Sequence, residues 1–142
     1  MLTTLKKPET HEDSMAWAFP MIDPEHVVLG HRILLQVRCP RMISKGGIMV
    51  PEETRKTEQD NTQVAKVLDV GPVAYKNRTT LDPWPEGPWC AVGDFIRIPR
   101  YGGDRWNKTI PGREDPIEFV ILRDHDIVAK VTGNPLEVRA FI

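Results

Sequence analysis

The stretch "QVAKVLDVGP", residues 63–72, shows the alternation of side chains that decides the fold class. Its residues fall on two phases: Val64, Lys66, Leu68 and Val70 on one, and Ala65, Val67 and Asp69 on the other. Strict alternation over a few residues is typical of a half-buried β-strand. Gly71 and Pro72 follow at once, and this pair ends a strand. We therefore predict a strand over residues 64–70.

Similar short apolar runs flank this strand on both sides along the chain. The sequence predicts further strands at residues 31–38 ("HRILLQVR"), 95–98, 119–122 and 127–131, with an edge strand at "LEVRAFI", residues 136–142. Turn signals separate them, at Gly93-Asp94, Gly102-Gly103 and Asp124-His125. About five to eight short strands with a turn roughly every ten residues indicate an all-β barrel or sandwich.

Composition excludes several classes of function. The chain has 142 residues and a formal net charge of −1, which suits one domain without the basic stripe of a nucleic-acid-binding protein. No apolar run approaches the length of a membrane span, and residues 1–7 lack a signal core. We expect a cytoplasmic protein whose two cysteines, Cys39 and Cys90, are not bridged.

The polar residues form no constellation that predicts catalysis or metal binding. The four histidines are scattered, and neither a Cys-x-x-Cys pair nor a phosphate-binding glycine loop is present. Asp94, Asp124 and Asp126 each lie at a predicted turn, where Asp supports the backbone by local hydrogen bonds. We expect no enzyme activity, no metal site and no cofactor bound by this chain.

The stretch "SKGGIMVPEETRKTEQDNT", residues 44–62, has neither a strand nor a helix pattern. Three apolar residues, Ile48, Met49 and Val50, follow Gly46-Gly47, and almost everything after Pro51 is polar. Glycines loosen the backbone, and a polar segment cannot collapse into a core. The composition favours an exposed, flexible loop that presents apolar side chains to a partner. A buried strand preceded by a turn is the alternative that these residues leave open.

Two other segments lie outside the strand pattern. Residues 1–27 suggest a peripheral arm docked by its aromatic residues, with a short helix at residues 12–19 that Pro20 ends. Residues 72–91 form a long connection rich in Pro and Trp. We expect Trp84 and Trp89 to pack on the chain's own body rather than face a cavity, because exposed Trp is costly.

The order of these motifs resembles that of the GroES-type co-chaperonins. The resemblance rests on "VLGHRILLQV", "SKGGIMVPE", "VAKVLDVGP", "VGDFIRIPRYGG" and "FVILRDHDIVAKV", which follow one another at near-family spacing over roughly residues 28–131. It implies a small GroES-like β-barrel with a mobile loop at about residues 40–62 and a roof loop at about residues 72–91. Residues 1–27 and 132–142 are then extensions, the second with the possible edge strand.

The resemblance also implies a function. Members of this family form a homo-oligomeric ring, usually a heptamer, that caps an ATP-bound GroEL-type chaperonin and closes the folding chamber, so ATP belongs to the partner. The chaperonin-binding residues carried over from the motif are Gly46, Gly47, Ile48, Met49 and Val50. The subunit-interface residues carried over are Leu29, Ile33, Leu35, Ile127, Val128 and Val131.

The chain departs from the family pattern in three places. His31 stands where the family usually has Asp, the roof segment is longer, and both termini are extended. Such divergence is of the sort expected from a bacteriophage genome. It motivates an alternative function, a structural or capsid-decoration protein that keeps the fold but has no chaperonin partner. In that case assembly would depend on residues 1–27 and not on the apolar residues at positions 48–50.

Overall fold

One antiparallel sheet organises the chain. The computed structural model describes residues 14–43 and 46–138, and six strands of this part of the chain pair in the order β4-β5-β1-β2-β3-β6. Their bounds are Arg32–Val37 for β1, Val64–Val70 for β2, Phe95–Arg97 for β3, Asp104–Lys108 for β4, Ile117–Arg123 for β5 and Ala129–Lys130 for β6. Two α-helices, Met15–Ala18 (α1) and Glu52–Asn61 (α2), and a 3-10 helix, Asp124–Asp126, complete the fold.

The predicted all-β class is confirmed, and four of the predicted strands correspond closely to β1, β2, β3 and β5. β6 is shorter than the strand predicted at residues 127–131. β4 was not predicted at all; it pairs with β5 and places Trp106 opposite Phe119. The rings of these two residues stack with centroids 5.5 Å apart, which shows how a mostly polar strand is held on the sheet.

The prediction of a C-terminal edge strand is wrong for residues 136–138, the part of it that the structure describes. Residues 135–138 form a turn and a bend, in which the backbone amides of Glu137 and Val138 both donate to the carbonyl of Asn134. The Asn134 side chain also accepts a hydrogen bond from the amide of Leu136, at 2.9 Å. This local capping by Asn competes with extended structure. Residues 139–142 of the predicted strand lie outside the described residues.

β1 is buried on both of its faces. Ile33, Leu35 and Val37 lie in the main core with residues of the neighbouring strands. On the other face, the Gln36 side-chain amide donates to the carbonyl oxygen of Pro20 at 2.9 Å, so the N-terminal arm covers this side. Burying a large aliphatic side chain stabilises a protein by roughly 1.5–3 kcal/mol, and the central strand therefore anchors the fold.

The N-terminal arm is docked by its aromatic residues, as predicted. The short helix α1 begins after Ser14, whose hydroxyl accepts a hydrogen bond from the amide of Trp17. Trp17 and Phe19 are both buried, and the ring of Phe19 lies 5.0 Å from that of Phe95. Residues 12 and 13 of the predicted helix lie outside the described part of the chain.

The roof segment is also packed against the chain's own core. Tyr75 is buried, and the rings of Trp84 and Trp89 lie 5.2 Å and 5.7 Å from its ring. Both Trp side chains are partly buried against the main core, which confirms the prediction. Cys90 accepts or donates a weak hydrogen bond with the Tyr75 hydroxyl. Cys39 and Cys90 are both buried and unbridged.

Two glycines are required by close backbone approaches. A Cβ at Gly71 would overlap the carbonyl oxygens of Gly30 and Arg32, because the Gly71 amide donates to the Arg32 carbonyl at 2.8 Å. Gly103 has a φ of +78° and lies against β5. The Tyr-Gly-Gly motif is therefore a structural turn, as its glycines predict.

Candidate partner-binding loop

The apolar loop, which we define as residues 46–50, projects from the connection between β1 and β2. Ile48 is 72% exposed and Met49 65% exposed. The loop returns on itself through an isolated antiparallel bridge between Ile43 and Met49, and the Val50 amide donates to the Met42 carbonyl at 2.8 Å. The alternative of a buried strand is therefore wrong for Ile48 and Met49, whose side chains are exposed, whereas Val50 is half-buried.

A helix follows the apolar loop, where the sequence indicated no regular structure. α2 covers Glu52–Asn61, begins after Pro51, and has Glu52 and Glu53 in its first turn. Acidic residues there interact favourably with the positive end of the helix dipole. The buried residues of α2 are Arg55 and Gln59, one helical turn apart and therefore on one face. The polar segment does not collapse into a core, but it is ordered by polar contacts.

Arg55 holds this helix and the end of the apolar loop together. Its guanidinium makes a two-pronged contact with Asp115, with Nε–Oδ2 at 2.7 Å and Nη2–Oδ1 at 3.1 Å, and Nη2 also lies 3.1 Å from Glu114 Oε1. Nη1 donates to the carbonyl oxygen of Val50 at 2.6 Å. The hydrogen bond to Asp115 is the main cause that raises the pKa of Arg55 above its ordinary value. Paired hydrogen bonds between Arg and a carboxylate are both strong and directional.

Gln59 makes the second contact of α2 with the same segment. Its side-chain amide donates to the carbonyl oxygen of Pro116 at 2.9 Å. Helix α2 therefore contacts the connection between β4 and β5 at residues 114–116, immediately before β5 begins.

The N-terminal arm links the chain before the loop to the connection between β4 and β5. The indole of Trp17 donates to the carbonyl of Pro40 at 3.2 Å, and the Arg113 guanidinium lies over the Trp17 ring at 4.0 Å. Arg113 also donates to the carbonyl of Ala16 at 3.1 Å. Burial raises the pKa of the neighbouring Cys39 thiol to about 11. Residues 113–116 thus contact the structures on both sides of the loop.

The predicted subunit-interface residues differ in their environments. Ile33 and Leu35 have no exposed surface and Ile127 is 6% exposed, so all three belong to the chain's own core. Leu29 and Val128 are 72% and 58% exposed, and Val131 is half-buried. The role of this set in assembly stays a prediction, and Leu29 and Val128 are the members with the most exposed surface.

The turn aspartates bond to backbone amides. Asp94 accepts from Ala91, Asp124 from Tyr75, and Asp126 from Arg123, at 2.9, 2.9 and 3.3 Å. No group of three or more His, Cys, Asp or Glu side chains is placed to hold a metal ion within residues 14–43 and 46–138. Over the same residues, no helix is long and apolar enough to cross a membrane.

A small antiparallel sheet with an exposed apolar loop between its first two strands is the arrangement that the resemblance to the GroES-type co-chaperonins implies. The chain belongs to the family described as "Chaperonin 10 Kd subunit", whose model matches residues 26–131. This match agrees with the resemblance seen over roughly residues 28–131. The family match supports a co-chaperonin role for this chain.

Individual relatives agree with the family. The chain is 30% identical over 113 residues to "Co-chaperonin GroES" of Methylacidiphilum infernorum (isolate V4), covering 80% of this chain and 100% of that protein. It is 35% identical over 101 residues to "Co-chaperonin GroES" of Chlamydia pneumoniae, covering 71% and 85%. It is 29% identical over 99 residues to "10 kDa heat shock protein, mitochondrial" of Oryzias latipes, covering 70% and 86%.

Proposed function

We propose that this chain caps a GroEL-type chaperonin ring and closes its folding chamber, with the apolar loop as the chaperonin-binding element. The observation that carries the proposal is the exposure of Ile48 and Met49 at 72% and 65%. These two side chains project from a loop whose ends are held by the Ile43–Met49 bridge and the Val50–Met42 hydrogen bond. Large apolar side chains exposed side by side are suited to an apolar groove on a partner.

The energetics favour several loops acting together. Burying an Ile, Met or Val side chain contributes roughly 1.5–3 kcal/mol, while ordering a residue costs about 1–2 kcal/mol of backbone entropy. A single loop therefore binds weakly. In a homo-oligomeric ring, which we propose to be a heptamer, identical loops engage at high effective concentration and the ring binds tightly.

Release follows from the same balance. A modest change in the affinity of each groove, multiplied over a ring, changes the total affinity greatly. We place the nucleotide that drives this change on the chaperonin, whose conformational populations shift as ATP binds and is hydrolysed. This chain then acts as a lid that catalyses no reaction and binds no cofactor.

The proposal is tested by mixing the purified chain with a bacterial chaperonin double ring and measuring co-sedimentation with and without ATP. We expect the chain to sediment with the double ring when nucleotide is present. Failure to co-sediment under both conditions would contradict the proposal and favour the structural alternative. Replacing the exposed side chains of Ile48 and Met49 separates the two functions further, because only the structural alternative predicts that loss of the apolar loop is tolerated.

A further inference from the structure

Val50 is the joint between the apolar loop and helix α2, and both of its backbone polar groups are engaged. Its amide donates to the Met42 carbonyl, and its carbonyl oxygen accepts the 2.6 Å hydrogen bond from Arg55. The Arg55 amide in turn donates to the carbonyl of Pro51 at 3.0 Å. The C-terminal end of the loop is therefore held by two hydrogen bonds at Val50, next to the Ile43–Met49 bridge.

Arg55 is itself fixed to the body at its other end. The Arg55 side chain is 3% exposed, while its partners Asp115 and Glu114 are 22% and 61% exposed. The cation is thus buried beneath its carboxylate partners, and its hydrogen bonds span from residues 114–115 to Val50. A planar guanidinium has enough donors in a fixed geometry to make these contacts at once, which a lysine ammonium does not.

The other attachments of helix α2 to the body are also polar, and Glu58 attracts the Arg38 guanidinium just after β1. The two buried residues of α2 are polar, and Gln59 contributes one hydrogen bond to Pro116. Short isolated helices are marginal in water, so a ten-residue helix depends on its tertiary contacts. Removal of the Arg55 contacts should therefore release α2 from residues 114–116 and free the carbonyl of Val50.

We propose that Arg55 is a positioning residue for partner binding, which holds the C-terminal end of the apolar loop so that Ile48 and Met49 are presented from a fixed base. This proposal rests on the proposed function of the loop. With Arg55 in place, the segment that a partner must order ends at Val50. Without it, that segment extends to Thr62, and the additional residues add their conformational entropy to the cost of binding.

The expected signature is a specific loss of affinity. The variant Arg55→Met keeps most of the side-chain length but loses every hydrogen bond, and we expect its affinity for an ATP-bound bacterial chaperonin to fall at least tenfold. Arg55→Lys keeps the charge without the two-pronged geometry, and its affinity should lie between that of the wild type and that of Arg55→Met. Lys56→Met is the matched control, since it removes the same charge from the exposed neighbouring position of α2 and should bind like the wild type.

Amide hydrogen exchange separates positioning from folding. In free Arg55→Met, we expect faster exchange at Val50 and across residues 52–61, with exchange in β1, β2 and β5 unchanged. Equal acceleration in the sheet would overturn the proposal, because Arg55 would then act on the fold as a whole. Unchanged exchange at Val50, or an affinity equal to that of Lys56→Met, would also overturn it.

The two proposals fail in different ways. If the wild type does not bind the chaperonin, the proposed function fails and the role of Arg55 in binding fails with it. If the wild type binds, Met49→Asp does not, and Arg55→Met binds as the wild type does, then the loop is the binding element and only the positioning role of Arg55 is wrong.

Discussion

Arg55 and Val50 are joined by a hydrogen bond of 2.6 Å between the guanidinium Nη1 and the backbone carbonyl oxygen. Arg55 lies within the polar segment after the apolar loop, and its other contacts reach Asp115, sixty positions away in the chain. The C-terminal end of the loop is therefore attached to the connection between β4 and β5 through a buried cation. This attachment gives the exposed side chains of Ile48 and Met49 a defined base.

Gly71→Ala should destabilise the fold. A Cβ at this position would overlap the carbonyl oxygens of Gly30 and Arg32, which are backbone atoms and cannot move aside cheaply. Overpacking of this kind costs about 1–3 kcal/mol or more. We expect a lower urea midpoint with an unchanged slope. Gly133→Ala is the matched control, since its Cβ would meet only Val138 at an ordinary 3.7 Å; an equal effect of the two substitutions would contradict this account.

Trp17→Ala should detach the N-terminal arm. Trp17 is 9% exposed, bonds to the Pro40 carbonyl and stacks beneath Arg113. Truncating a buried Trp costs about 3–5 kcal/mol. The local measurement is hydrogen exchange at the Cys39 amide, which donates to the Ala18 carbonyl and should exchange faster. Met15→Ala, at a 38% exposed position of the same helix, should leave this exchange unchanged, and equal acceleration would show that Trp17 is not the anchor.

Glu118 should make stability decline with rising pH. Burial raises the pKa of this carboxyl above its ordinary value of 4.5, although its hydrogen bond to Arg105 opposes the shift. The folded state therefore binds more protons than the unfolded state between 4.5 and the raised pKa, so the free energy of unfolding falls as pH rises through that window. Above the raised pKa the effect is complete and the curve levels off.

The measurement is the difference in unfolding free energy between the wild type and Glu118→Gln, followed by urea denaturation from about pH 4 to pH 7. The variant cannot titrate at this position, so the difference isolates Glu118. We expect the wild type to lose stability relative to the variant as pH rises. A difference that stays constant, or that grows in favour of the wild type, would contradict the assignment.

The strands that sequence predicts well are those with apolar alternation or apolar runs, such as β2 and β5. β4 was not predicted because Trp106 is its one large apolar residue, so the strand shows no apolar alternation. What holds it on the sheet is its pairing with β5 and the stacking of Trp106 on Phe119, which are contacts between residues distant in sequence. The C-terminal alternation was misleading, since the capping by Asn134 determines the conformation of residues 135–138.

The apolar loop was predictable, but its anchor was not. Ile48 and Met49 stand out as apolar residues in a polar context, and the structure exposes them as expected. Arg55 and Gln59 do have the spacing of one helix face, yet both are polar, and hydrophobic periodicity gives no weight to such a face. The sequence also could not tell core residues from interface residues, because an apolar strand residue suits either. Ile33 and Leu35, which were assigned to a subunit interface, are fully buried in the chain's own core.

The most direct test of the central claim is the affinity of Met49→Asp for an ATP-bound bacterial chaperonin double ring, compared with the wild type. Met21→Asp is the matched control, because Met21 is 93% exposed and lies outside the apolar loop. A carboxylate forced into an apolar groove costs several kcal/mol, so we predict that Met49→Asp binds at least about a hundredfold more weakly, a loss of roughly 2.7 kcal/mol. We predict that Met21→Asp binds as the wild type does. Wild-type affinity in Met49→Asp would contradict the account.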